Sequence, residues 1–177
     1  MSIFMINPLI NNIEFAQKQQ NIKDSFDVLS FKRLAEILAL PNEKLSFPNE
    51  KVKETHVNFE LNGDYKRFRQ PSLHLHIETK LPITCQRCLE LMQVEIDLQF
   101  DYLISDSSTD ELNHNDDQND DLDWVQANTE MNFHELIEDE LLLAMPISPM
   151  HASECTKTSM QSGEKPNPFA VLKNLIK

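Results

Sequence analysis

Two glycines, Gly63 and Gly163, are all that the 177 residues contain. Phosphate-cradling loops, the dinucleotide-binding fingerprint and the glycine-flanked nucleophile elbow each need several glycines, for sharp turns and close backbone approach. None of them can be built here, which removes the common nucleotide-handling and serine-hydrolase chemistries. Three cysteines, an odd number, do not make a disulfide framework. No uncharged apolar stretch approaches the roughly 20 residues that cross a bilayer. The first ten residues offer neither a basic leader nor a small-residue cleavage site. The expectation is a cytoplasmic protein with no membrane partner.

Positive charge is missing over a long stretch. From Cys88 to Thr156 there is no Lys or Arg, while 18 of the 29 Asp and Glu side chains lie there. Residues 1–87 carry 12 basic and 10 acidic side chains, and residues 157–177 carry four and one. The formal charge of −13 is therefore concentrated in the middle of the chain. Sequence-independent nucleic-acid binding depends on Lys and Arg displacing counterions from phosphates. The acidic middle excludes it there and suits a cationic partner.

What is present reads as one α+β domain over residues 1–177, an antiparallel sheet packed with a few helices. Asn7 as cap with Pro8 at the first position predicts a short first helix. Ser30 before Phe31, Leu34, Ile37 and Leu38, with Pro41 as the stop, predicts a second. Val57, Phe59 and Leu61 alternate with polar residues, and Asn62-Gly63 behind them reads as a hairpin turn. Leu73, Leu75 and Ile77 alternate with His74, His76 and Glu78. Met92 to Tyr102 forms the longest alternating run, with one apolar and one acidic face. His74 and His76 read as solvent-facing, since no third metal ligand is near them in sequence.

Residues 105–123 hold eight acids and almost nothing apolar, and read as a mobile acidic loop. They lack the central Gly and terminal Glu of a calcium-binding loop. Asn132 with Glu135 forms a capping box for a helix carrying Phe133, Leu136, Ile137, Leu141 and Ala144, which Pro146 ends. The acids in its first half suit the helix dipole and equally offer a ridge to a basic partner. In the extension 153–177, Asn167-Pro168 starts a short C-terminal helix. Phe169 and Leu172 on one side of it fit docking on the core or on a partner.

Cys85-Gln86-Arg87-Cys88 falls between two predicted strands, the shape of half a zinc knuckle. His151 and Cys155 are the candidates for the other half, and with them every thiol in the chain is used. Spacing alone leaves structural zinc and metal-free thiols both open. A redox pair is the third reading, although the antiparallel flanks are not the βαβ setting of thioredoxin-like motifs. No catalytic constellation emerges. Lys66, Arg67, Arg69 and Arg87 belong to the only large segment with excess positive charge and are the candidates for direct RNA contact.

Four segments, in order, resemble one known family. They are Thr84-Cys-Gln-Arg-Cys-Leu89, Glu135-Leu-Ile-Glu-Asp-Glu-Leu-Leu-Leu-Ala-Met-Pro146, Ile147-Ser-Pro-Met-His151 with Cys155, and Glu164-Lys-Pro-Asn-Pro-Phe-Ala-Val-Leu172. These look like the YceD family, the large ribosomal RNA subunit accumulation proteins. The resemblance implies a non-enzymatic ribosome biogenesis factor that supports synthesis, processing or accumulation of 23S rRNA. It implies large-subunit rRNA or a pre-ribosomal particle as context, a basic ribosomal protein or assembly factor as partner, and no small-molecule substrate.

Overall fold

Leu73, Leu75, Ile77 and Leu81 are completely buried, while Glu78 and Lys80 between them are exposed. That alternation, one face to the core and one to water, belongs to the strand β4 (Ser72–Thr84) and sets the architecture. The structure is a computed structural model that describes residues 7–38, 52, 54–105, 122–152 and 155.

The elements run β1 (Leu9–Ile10), α1 (Asn12–Gln17), β2 (Asn21–Asp27), α2 (Lys32–Leu38), β3 (His56–Asp64), β4, β5 (Leu91–Ser105), β6 (Asp123–Gln126), β7 (Met131–Asn132) and α3 (Phe133–Ala144). A five-stranded sheet has the order β2-β3-β4-β5-β6, and β1 pairs separately with β7. The first four strands of the large sheet are antiparallel neighbours. At the far edge β6 lies parallel to β5, Tyr102 opposite Asp123 and Ser105 opposite Gln126. The expected α+β fold is the observed one, with that parallel edge as an addition.

Phe15, Phe31, Leu34, Phe133, Ile137 and Leu141 from the helical side join the buried strand residues in one core. Pro82, without an N–H, sits where β4 has run past its pairing with β3, which stops at Glu78, and borders β5 alone.

Several boundaries differ from the sequence expectations. The first helix is capped by Asn11, whose side chain accepts the N–H of Glu14 (3.1 Å). Leu9 and Ile10 are strand residues paired with Asn132 and Met131. Asn62-Gly63 is not a turn, since β3 continues through both. Glycine is needed at 63 for close approach: a Cβ there would lie 2.4 Å from the carbonyl oxygen of Phe15 and 2.8 Å from Cα of Ala16. Ser30 does not cap α2. Its hydroxyl donates to Asp27 O (2.7 Å), and the N–H groups of Arg33 and Leu34 donate instead to the Glu138 carboxylate on α3 (2.8 and 3.2 Å). The capping of α3 by Asn132 is as expected, accepting from the N–H of His134 (3.1 Å). Ser105 and Asp123, the ends of the expected acidic loop, are ladder residues. Residues 106–121 and the expected C-terminal helix lie outside the described residues.

Candidate metal centre

The turn joining β4 to β5 is Cys85–Glu90. It is closed by Leu89 N–H donating to Cys85 O and Cys85 N–H donating to Glu90 O, both 2.9 Å. Leu89 takes a left-handed conformation (φ 60°) to complete it, a cost that a non-glycine residue bears only where its surroundings hold it. Cys85 is buried at the base of the turn, and Cys88 is partly covered.

α3 then returns the chain to this turn. Pro146 ends the helix, and the segment behind it runs back over the Cys-x-x-Cys backbone. Gln86 N–H donates to Pro149 O (2.8 Å), and an Arg87 guanidinium nitrogen lies 3.9 Å from the sulfur of Met150. This seam brings Cys88 Sγ to 3.4 Å from His151 Nδ1 and Cys85 Sγ to 3.8 Å from Cys155 Sγ. The four ligand atoms of Cys85, Cys88, His151 and Cys155 all lie within 4.8 Å of one another. The structure thus assembles the two halves that the sequence leaves 62 residues apart.

A model of the family described as large ribosomal RNA subunit accumulation protein YceD matches residues 73–176. That span begins at the second residue of β4 and contains all four clustered residues. The chain belongs to the YceD family. Over 115 residues it is 36% identical to the large ribosomal RNA subunit accumulation protein YceD of Haemophilus influenzae. The aligned stretch is 56% of this chain and 62% of that relative, so the chain spans less than two thirds of the relative's length. No solved structure matches the chain.

The thiols of this YceD-family chain are electrostatically unequal. Burial raises the Cys85 thiol, but the backbone N–H groups of Cys88, His151 and Arg87 outweigh it and bring its pKa down to about 5. Burial and the neighbouring sulfurs push Cys155 up to about 11. Closely spaced thiolates repel one another, and a cation between them offsets that repulsion.

The basic residues expected to act together are divided. Lys66, Arg67 and Arg69 stand on the β3–β4 link. Arg87 stands beyond the other end of β4, a strand of 13 residues that spans about 40 Å at strand rise. Tyr65 and Phe68, interleaved with the first group, escaped the sequence reading although the alternation of rings and cations is legible there. Phe169 and Leu172 lie outside the described residues.

The histidines of β4 are not merely solvated. His74 Nδ1 lies 2.8 Å from Asp101 and His76 Nε2 2.9 Å from Asp97, both across the ladder on β5. With Glu78, His76 and Asp97 form a second group of potential ligand atoms. Sequence proximity missed Asp97 because it comes from the neighbouring strand.

Among the described residues most acids of the middle segment have a partner within the fold. Glu95 pairs with Lys80, and Asp101 with Arg67. Glu138 and Asp139 both pair with Arg33. Glu135 accepts from the Asn132 amide, and Glu140 accepts from the Tyr102 hydroxyl (both 2.9 Å). On α3 Glu138 is thus taken up within the fold, while Glu135 and Asp139 remain exposed.

Proposed function

We propose that this chain is a non-enzymatic, cytoplasmic ribosome biogenesis factor that supports synthesis, processing or accumulation of 23S rRNA. Its partner on this reading is a basic ribosomal protein or assembly factor. Cys85, Cys88, His151 and Cys155 hold a structural zinc ion. The observation that carries the proposal is the family match over residues 73–176, whose curated relative is named for accumulation of large-subunit rRNA.

The donor set supports the metal reading. Zinc bonds of about 2.3 Å to sulfur and 2.05 Å to nitrogen, at tetrahedral angles, put two sulfurs about 3.8 Å apart and sulfur and nitrogen about 3.6 Å apart. The separations here are 3.8 and 3.4 Å. Bound there, zinc supplies a cross-link between the β4–β5 turn and the chain after α3. With four protein ligands it keeps no open position for water or substrate, which fits a structural and not a catalytic metal.

The partner reading narrows to residues 106–121, which hold seven acids and no base. Most acids of α3 and β5 already have a partner within the fold. A dense acidic stretch attracts a basic protein by long-range electrostatics and speeds its capture. The test is depletion of the protein in cells, followed by measurement of 23S against 16S rRNA and of ribosomal particle profiles. A selective fall in 23S rRNA and large subunits is expected, and unchanged profiles would overturn the proposal.

A further inference from the structure

The link between β3 and β4 begins Tyr65-Lys66-Arg67-Phe68-Arg69, three cations and two rings in five consecutive residues. Its shape is held from within. Asp64 Oδ1 accepts the Lys66 N–H (2.8 Å). That bond, with the N–H groups of Tyr65 and Arg67, keeps the Asp64 carboxyl below its ordinary range. Ser72 Oγ donates to Asp64 O (3.0 Å), and Ile104 N–H donates to Pro71 O (2.9 Å). Arg69 completes the bend in a left-handed conformation (φ 56°).

On this base Tyr65 presents its ring, 45% exposed. The Arg67 guanidinium lies 4.9 Å from the Phe68 ring centroid and also pairs with Asp101 (2.9 Å). Among the described residues Lys66 Nζ meets a neutral group, the Gln19 amide oxygen (3.3 Å). Among the described residues neither Lys66 nor Arg69 is paired with a carboxylate, although the chain has 29 acidic side chains to 16 basic ones.

We propose that this link is a contact site for single-stranded RNA. Lys66, Arg67 and Arg69 lie along the phosphates, and the Tyr65 ring stacks on an unpaired base. Every base has a π-face, so such a platform is tolerant of sequence. In duplex RNA the faces are already stacked on each other and unavailable. An acidic peptide would satisfy the cations but has no use for the ring. The proposal rests on the ribosomal RNA reading and adds to it the place and the form of contact. The site lies before residue 73, where the family match begins.

The test is fluorescence anisotropy of the full chain with a labelled 12-nucleotide single-stranded RNA. The same RNA as a duplex and a poly-glutamate peptide serve as competitors. Three phosphate contacts predict that log affinity falls with log salt at a slope of about −2. Tyr65→Ala weakens binding about tenfold, Tyr65→Phe leaves it intact, and Lys66→Glu with Arg69→Glu abolishes it. Lys32→Glu, at an exposed position of α2, changes nothing. Circular dichroism confirms that each variant is folded. Absent binding, equal competition by duplex or poly-glutamate, or loss in Lys32→Glu but not in the link variants overturns the proposal. If it fails while depletion still lowers 23S rRNA, the contact site falls and the ribosomal role stands.

Discussion

Cys85 and Cys155 are 70 positions apart in the chain and 3.8 Å apart through their sulfurs. No ladder joins them. Cys85 opens the turn after β4, and Cys155 follows α3, so a cation between them ties the sheet to the helical layer. Chelation is therefore expected to destabilise the whole domain and not the turn alone. For free zinc at a thousand times its Kd the loss is about 4 kcal/mol, roughly 10 °C in Tm for a chain of this size. Thermal unfolding with and without a strong chelator measures it. A Tm unchanged by chelation contradicts it.

Glu138 is buried on α3 and accepts three hydrogen bonds, from Arg33 N–H, Leu34 N–H and the Arg33 guanidinium. Burial opposes its charge, but those donors and the Arg33 charge hold its pKa below the ordinary carboxylate value. A depressed folded pKa contributes stability that is complete above the unfolded value of about 4.3 and is lost as pH falls through the folded one. Glu138→Gln is expected to cost about 2 kcal/mol at pH 7 and to make unfolding less sensitive to acid below pH 4. Urea titrations of both proteins across pH 3 to 7 check both effects.

Gly63 faces backbone atoms of α1, which cannot rotate away as a side chain could. Gly63→Ala is expected to destabilise by about 3 kcal/mol, the upper end for overpacking, although alanine ordinarily suits a strand better than glycine. A change within about 0.5 kcal/mol in denaturant unfolding, the range of ordinary surface substitutions, would show that the close approach is not binding on the fold.

The acids of residues 106–121 and those of α3 are expected to behave differently toward a basic partner. Replacing the seven acids of 106–121 with their amides should abolish capture of the partner in a crosslinked pull-down while leaving Tm within about 2 °C, the range of ordinary surface substitutions. Glu135→Gln and Asp139→Asn should leave capture intact. The reverse pattern would put the partner on α3.

Contiguous signals were legible in the sequence. Asn132 and Glu135 announce α3 because capping is a contact over three residues, and Leu73 to Ile77 announces β4 because burial alternates along it. Strand β2 was not legible: Asn21–Asp27 is an edge strand whose apolar residues, Ile22 and Phe26, are only partly buried. β6 is four residues long and pairs in parallel, which leaves no alternating pattern to read. Gly63 misled because turn propensity and tolerance of close approach have one cause, the missing Cβ. Cys85 and Cys88 were visible as a motif. Their juxtaposition with His151 and Cys155 depended on the direction in which α3 returns the chain, a tertiary fact with no local signature. The engagement of the α3 acids was hidden likewise, since Arg33 lies about a hundred residues earlier.

Metal content of the purified full chain decides whether the four-residue cluster is a zinc site. Elemental analysis with thiol titration is expected to find one zinc per chain and no thiol reactive until a chelator is added, with the metal lost in Cys88→Ser. A metal-free protein with three freely titrating thiols would contradict it.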